Sequence, residues 1–304
     1  MCSSDLGPRG AAARGALYRG CALMGPPGSN GDGSTSPAPA TPVRRILTLG
    51  GHDFTSRPPD RAVCELLLRL AGERGAERPR ICILPTASGD TSEQIGRFYA
   101  AFGERSCEPS DLSLFRLGRR PMALRDHLLS QDLIYVGGGS LVNLLAVWEA
   151  HDIASILSLA WRRGIVLAGQ SAGAMCWFEA GITKSSGKPL AAAGLGLLSG
   201  SLCVHYNNEP ERRAAYLEAV ADGMPGGYGL DDYAGLLWEG EDSPSALTAR
   251  RGARAYRVTA REDGVAESPL PARFLPAPAP AALREDIAEF RRIKTMRKRA
   301  GWLG

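Results

Sequence analysis

One stretch of fifteen residues, Gly164-Ile165-Val166-Leu167-Ala168-Gly169-Gln170-Ser171-Ala172-Gly173-Ala174-Met175-Cys176-Trp177-Phe178, restricts the fold more than any other part of the chain. Its opening run is apolar, β-branched and short, the pattern of a buried strand. It then passes through Gly-x-Ser-x-Gly, centred on Ser171, into residues that suit a helix. Strand, sharp turn and helix in that order make a nucleophile elbow. Such a turn strains the backbone at the serine and needs small residues on either side, here Gly169 and Gly173. The pentapeptide alone fits an ordinary strand-to-helix turn equally well, because 37 of the 304 residues are glycine. The surrounding pattern has to decide.

That pattern is regular from residue 45 onward. Arg45-Ile46-Leu47-Thr48-Leu49, Ile81-Cys82-Ile83-Leu84, residues 112–117 and Asp132-Leu133-Ile134-Tyr135-Val136 read as strands. Between them lie helical spacings near residue 60 (Val63, Leu66, Leu67, Leu70), at 92–102, at 141–148 with Ser140 as a cap, and at 151–161. Strands that run apolar without alternation and alternate with helices predict an α/β fold, its mostly parallel sheet sandwiched by helices. Four strands end in small-residue turns: Gly50-Gly51, Pro85-Thr86-Ala87-Ser88, Gly137-Gly138-Gly139 and the elbow. Ligands of open α/β sheets collect outside the carboxyl ends of the strands, so these turns should share one cleft with Ser171. Beyond Gly194 the pattern loosens, with strands expected at 202–205, 235–238 and 255–258.

Three segments follow from composition: a disordered tail or start-site artefact over 1–42, a folded domain over 43–275, and a Pro/Ala linker with a basic helix over 276–304. The net charge of +4 is concentrated, since residues 284–299 carry seven basic and three acidic side chains. The middle of the chain thus has no basic excess for gripping nucleic acid. No run nears the ~18 apolar residues of a membrane span. Arg14 and Arg19 interrupt any signal-like segment near the start. Seven scattered cysteines without Cys-x-x-Cys spacing argue against a disulfide framework or a zinc site, and reduced thiols point to the cytoplasm. No metal or cofactor is expected, and a homodimer is possible.

Ser171 needs a base to take its proton. Of the four histidines, His127 and His151 fall in or beside helices and read as surface residues, and His52 follows a strand end. His205 also closes an apolar strand and is the sole histidine after the elbow. Serine, acid and a late histidine, the order of an α/β-hydrolase, does not fit, because no histidine follows residue 205. The acid that would orient the imidazole is sought in Asp231-Asp232, although adjacent acids before a strand also serve as plain turn residues.

Taken together, Gly169-Gln170-Ser171-Ala172-Gly173-Ala174, the preceding Val136-Gly137-Gly138-Gly139 and the following Val204-His205-Tyr206 resemble the peptidase E family of serine peptidases. Aspartyl dipeptidases belong to that family, and cyanophycinases are its relatives. The similarity covers residues 45–275. It implies the class I glutamine amidotransferase-like three-layer fold, with serine in place of that fold's elbow cysteine. It also implies a Ser–His–acid triad of Ser171, His205 and, from the turn Gly229-Leu230-Asp231-Asp232, Asp232 with Asp231 in reserve. The chain departs in having aspartate where the family usually has glutamate, and Ser140 where it often has asparagine.

The resemblance therefore implies a serine peptidase that hydrolyses small peptides, dipeptides with an N-terminal aspartyl residue, by Ser-His-Asp acyl-enzyme chemistry. The oxyanion hole would use the N–H of Ala172 and of Gly138 or Gly139. Arg212 and Arg213 lie where the family places a substrate-binding arginine, and they also suit a charged helix face. A cyanophycinase-like enzyme, a broader amidase or esterase, and a non-catalytic binding module on the same fold are the alternatives.

Overall fold

The computed structural model describes residues 42–119, 122–240 and 243–276. The expected tail over 1–42 and the basic helix over 276–304 lie almost wholly outside the described residues. In chain order the first half comprises β1 (Arg45–Leu49), α1 (Arg61–Gly72), β2 (Arg80–Leu84), α2 (Ser92–Phe102), β3 (Glu108–Asp111), α3 (Leu124–Leu129), β4 (Leu133–Val136), α4 (Leu141–Ala150), α5 (Ile153–Arg162), β5 (Val166–Gln170) and α6 (Ala172–Met175). The second comprises β6 (Phe178–Thr183), β7 (Leu190–Ala193), β8 (Leu198–Val204), α7 (Pro210–Ala221), β9 (Gly227–Leu230), β10 (Ala234–Glu239), β11 (Ser245–Thr248), β12 (Ala255–Arg261), β13 (Gly264–Pro269) and β14 (Ala272–Phe274).

Eight strands form the larger sheet, in the order β14-β11-β10-β1-β5-β4-β2-β3. From β1 to β3 every pairing is parallel, while β10 and β11 enter antiparallel. Successive residues of these strands point to opposite faces, and both faces are buried. Leu47, Ile83, Tyr135 and Ala168 meet α1 and α2 on one side. Ile46, Leu84, Ile134 and Leu167 meet α3 to α6 and the inner residues of a second sheet on the other. The helices form where capping and apolar spacing agree. The Asp60 carboxylate accepts the N–H groups of Ala62 and Val63 at the start of α1, and the Ser140 hydroxyl accepts that of Asn143 at the start of α4.

The mostly parallel, helix-covered sheet matches expectation. A second, six-stranded sheet, ordered β13-β12-β9-β8-β6-β7, does not follow from the sequence pattern. Its outer face carries α7, whose Tyr216 and Val220 pack against Ile182, Cys203 and Val258. A strand expected at 112–117 is displaced as well. The chain pairs with β2 over Glu108–Asp111, a polar sequence with Pro109, and then turns through a short 3-10 helix at Leu114–Arg116. A short polar strand containing proline suits a sheet edge, where pairing continues on one side only. Leu112 and Leu114 are buried from the connection instead. The helix expected over 151–161 starts at Ile153, because Asp152 adopts a left-handed φ of 53° and separates α5 from α4. At the end of the expected domain, Ala272–Phe274 pairs as β14 with β11.

Candidate active site

In the larger sheet β1, β5, β4 and β2 are neighbours, so the four small-residue turns at their carboxyl ends lie side by side. Ser171 follows β5 with φ 54° and ψ −115°, a conformation that L-residues avoid. Several bonds hold it there. Its N–H donates to the Leu49 carbonyl at 3.0 Å, and its own carbonyl accepts from Ala174 and Met175. The flanking glycines are required by contact: a Cβ at Gly169 would stand 2.0 Å from the Gly173 carbonyl oxygen, and one at Gly173 would stand 2.2 Å from that of Val136.

His205 follows β8 in the smaller sheet, also at positive φ (56°). Its Nε2 lies 3.0 Å from Ser171 Oγ, and its Nδ1 lies 2.7 Å from Asp232 Oδ1. Asp232 sits in the connection from β9 to β10, where the chain crosses from the smaller sheet to the larger. Three groups besides His205 surround its carboxylate and backbone. Asn208 Nδ2 donates to Oδ2, Asn207 Oδ1 accepts the Asp232 N–H at 2.9 Å, and His52 Nδ1 is 3.7 Å from Oδ2. Burial opposes the charge on Asp232, but the hydrogen bond and charge of His205, the Asn208 amide and His52 together hold its carboxyl below the usual aspartate value.

The adjacent Asp231 points elsewhere. Its carboxylate accepts the Arg254 N–H at 2.9 Å, and burial raises its pKa despite that bond. Of the two adjacent acids, therefore, only Asp232 meets the imidazole. His52, which also follows a strand end, stacks on Tyr233 with ring centroids 3.8 Å apart and faces the acid, while Ser171 Oγ meets His205. His151 is exposed, as expected. His127 is not a plain surface residue: its Nε2 lies 3.5 Å from Cys82 Sγ and 3.4 Å from Ser110 Oγ, and burial lowers its pKa.

A cavity of about 260 Å³ opens beside the serine, lined by Gly139, Ser140, Ser171, Met175, Thr183, Lys184, Ser185 and Arg212. Gly138 flanks the nucleophile, since a Cβ there would come 3.3 Å from that of Ser171. The N–H groups of Gly138 and Gly139 bond to no protein acceptor among the described residues. Ala172 begins α6, so its N–H has no partner within the helix. A larger cavity, of about 600 Å³, lies away from this chemistry, among Tyr228, Trp238 and Arg257. Its size does not make it the site, because it contains neither Ser171 nor His205.

The two arginines separate. Arg212, Tyr216 and Val220 recur every four residues and form the buried face of α7. Arg212 reaches the cavity from that face. Arg213, one position on, ion-pairs with Glu267 at 2.8 Å and lies over the rings of Tyr206 and Tyr256. That ion pair joins α7 to β13.

Below the elbow lies a buried network that sequence reasoning missed. Asp53 is fully buried and receives the Tyr135 hydroxyl and the Thr55 N–H. With its amide nitrogen turned inward, Gln170 donates to both Asp53 oxygens, at 2.5 and 2.8 Å. Burial raises the Asp53 pKa, against the hydrogen bonds from Thr55 and Tyr135. Gln170 and Asp53 each adjoin a quoted motif, but nothing in their spacing announces the contact. Among the described residues no group of three or more His, Cys, Asp or Glu side chains could hold a metal ion. The five described cysteines are buried and unpaired. No single described helix is long and apolar enough to cross a membrane.

The chain is similar to several known proteins. The profile of peptidase family S51 matches residues 46–245. An uncharacterized peptidase of Bacillus subtilis (strain 168), YgaJ, is 41% identical over 234 residues, which are 77% of this chain and 100% of that protein. The crystal structure of a peptidase from an acI-B1 Actinobacterium superposes with a TM-score of 0.56 at 19% identity, over 76% of this chain and 96% of the other. That of a putative peptidase E protein from Listeria monocytogenes EGD-e gives 0.51 at 17%, over 68% and 100%. These two likenesses concern the fold, which is the class I glutamine amidotransferase-like one. With the profile spanning most of the chain, and a full-length relative at this identity, the protein belongs to peptidase family S51, the peptidase E family of serine peptidases.

Proposed function

We propose that this peptidase hydrolyses small peptides, chiefly dipeptides with an N-terminal aspartyl residue, through an acyl-enzyme formed on Ser171. The observation that carries the reading is the continuous relay of 3.0 Å from Ser171 Oγ to His205 Nε2 and 2.7 Å from His205 Nδ1 to Asp232 Oδ1. An ionised Asp232 accepts a hydrogen bond from Nδ1–H, which fixes the tautomer and leaves Nε2 free to accept from the serine. Ser171 Oγ then attacks the peptide carbonyl carbon as its proton passes to Nε2. The carbon–nitrogen bond breaks, and that proton leaves on the amine. Water, deprotonated by the same imidazole, releases the acyl group.

Charge that develops on the carbonyl oxygen calls for donors fixed beforehand. The N–H groups of Ala172 and of Gly138 or Gly139 are the candidates, and each such donor is worth ~3–4 kcal/mol in other enzymes. The aspartyl preference rests on Arg212, whose buried guanidinium lines the cavity beside Ser171 and can bind a carboxylate through two parallel bonds. A cavity of about 260 Å³ suits one side chain better than a polymer. Unpaired thiols fit a reducing cytoplasm as the place of work. The test compares hydrolysis of Asp-p-nitroanilide with that of the Leu and Ala analogues, in the wild type and in Ser171→Ala. Aspartyl-selective release that vanishes in the variant is expected. Release that survives in Ser171→Ala would overturn the mechanism, and release without aspartyl preference would overturn the specificity.

A further inference from the structure

Lys184 stands at the start of the hairpin between β6 and β7 and lines the same cavity as Arg212 of α7. Its ammonium lies 3.2 Å from Glu209 Oε2, and Arg212 Nε lies 3.3 Å from that same oxygen. The two cations therefore share one carboxylate, and the three side chains together keep a net positive charge. Charge attraction does not complete their bonding. Arg212 is only 7% exposed, yet its Nε and Nη1 are buried with no hydrogen-bond partner, and Glu209 Oε2 is left likewise. Buried donors in that state carry a desolvation penalty that a bound anion would relieve.

The other polar side chains of the cavity wall are already engaged. The Thr183 and Ser185 hydroxyls bond each other at 2.8 Å, and Ser140 caps α4. What the wall offers a ligand is therefore cationic, and it comes from two separate elements. Resting on the aspartyl reading above, we propose that Lys184 is a second specificity-determining cation, which binds the side-chain carboxylate of the aspartyl residue together with Arg212. Arg212 supplies the planar fork and Lys184 a point charge from the hairpin, so the carboxylate is clamped between them. Glu209 holds both cations in place in the free enzyme, and the substrate supplies the negative charge that balances the remaining positive one.

The experiment measures kcat and KM for Asp-, Leu- and Ala-p-nitroanilide with the wild type, Lys184→Met and Lys184→Arg. Fluorophosphonate labelling of Ser171 serves as a control that each variant is folded and its serine activated. Expected is a loss of ~10- to 100-fold in the Asp-over-Leu ratio of kcat/KM for Lys184→Met, the scale of losing one close charge contact. The loss should fall mainly on KM, and Lys184→Arg should restore most of the ratio. An unchanged ratio in a Lys184→Met protein that labels normally would overturn the assignment while leaving the aspartyl reading intact. Failure of that reading shows earlier and in a different protein, as a wild type without aspartyl preference, and would remove this inference with it.

Discussion

Gly51 faces the junction of the relay: a Cβ at this position would stand 2.0 Å from Asp232 Oδ1 and 2.9 Å from His205 Cε1. The space next to the hydrogen bond between acid and base is thus kept open by the absence of one methyl group. Gly51→Ala must push the carboxylate off the imidazole. The expected result is a fall in kcat approaching that of losing the acid outright, ~10⁴-fold in a serine triad of known kinetics. Circular dichroism should show the fold retained, so that steady-state kinetics reads the local displacement.

The two adjacent aspartates should behave differently. Asp232→Asn leaves an amide beside Nδ1 that can favour the wrong tautomer, and kcat should drop by ~10³- to 10⁴-fold. Asp231→Asn keeps an oxygen for the Arg254 N–H, and kcat should stay within about threefold, in the range of changes away from the reacting atoms. A larger loss for Asp231→Asn than for Asp232→Asn would reverse the assignment.

Arg212 and Arg213 are distinguished in the same way. Arg212→Gln should reduce kcat/KM for the aspartyl substrate while sparing the Leu and Ala analogues. Arg213→Gln should leave all three unchanged and lower stability by about 1 kcal/mol, since its partner Glu267 is a partly exposed ion pair. Thermal melts and the three substrates separate these outcomes.

Asp53 gives a pH-dependent stability of definite sign. Burial raises its pKa in the folded chain above the ordinary 3.8, so the folded state binds this proton more tightly than the unfolded one. Its contribution is therefore most favourable in acid and declines as the pH climbs from that value through the raised one. Asp232, with a lowered value, acts oppositely: its contribution is present above 3.8 and fades as the pH falls through the lowered value. Asp53→Asn removes the first effect. As the pH rises from about 4, the melting temperature of the variant should gain on that of the wild type. A constant difference would mean that Asp53 does not change protonation on folding.

Much of the site is legible in the chain because its chemistry is local. The elbow declares itself through glycines that no other residue can replace, and His205 stands alone downstream of it. Arg212 could also have been told from Arg213, because Tyr216 and Val220 mark the buried face four and eight residues later. Other features depend on tertiary neighbours. Asp231 and Asp232 differ only in the direction each faces at a strand exit. Lys184 and Arg212 meet at one carboxylate, that of Glu209, although 28 residues separate them in sequence. The smaller sheet is hard to read because Gly227-Tyr228-Gly229-Leu230 and Leu190–Ala193 are short and rich in glycine or alanine, which are depleted in strands.

The relay spans both sheets, with the serine on the larger, the histidine on the smaller and the acid on the connection between them. A nascent chain in which only the parallel strands up to β5 have docked owns a nucleophile with nothing to deprotonate it. The proposed relay then needs β8 and the β9–β10 connection docked beside the elbow, so enzymatic turnover becomes a readout of the two sheets having come together.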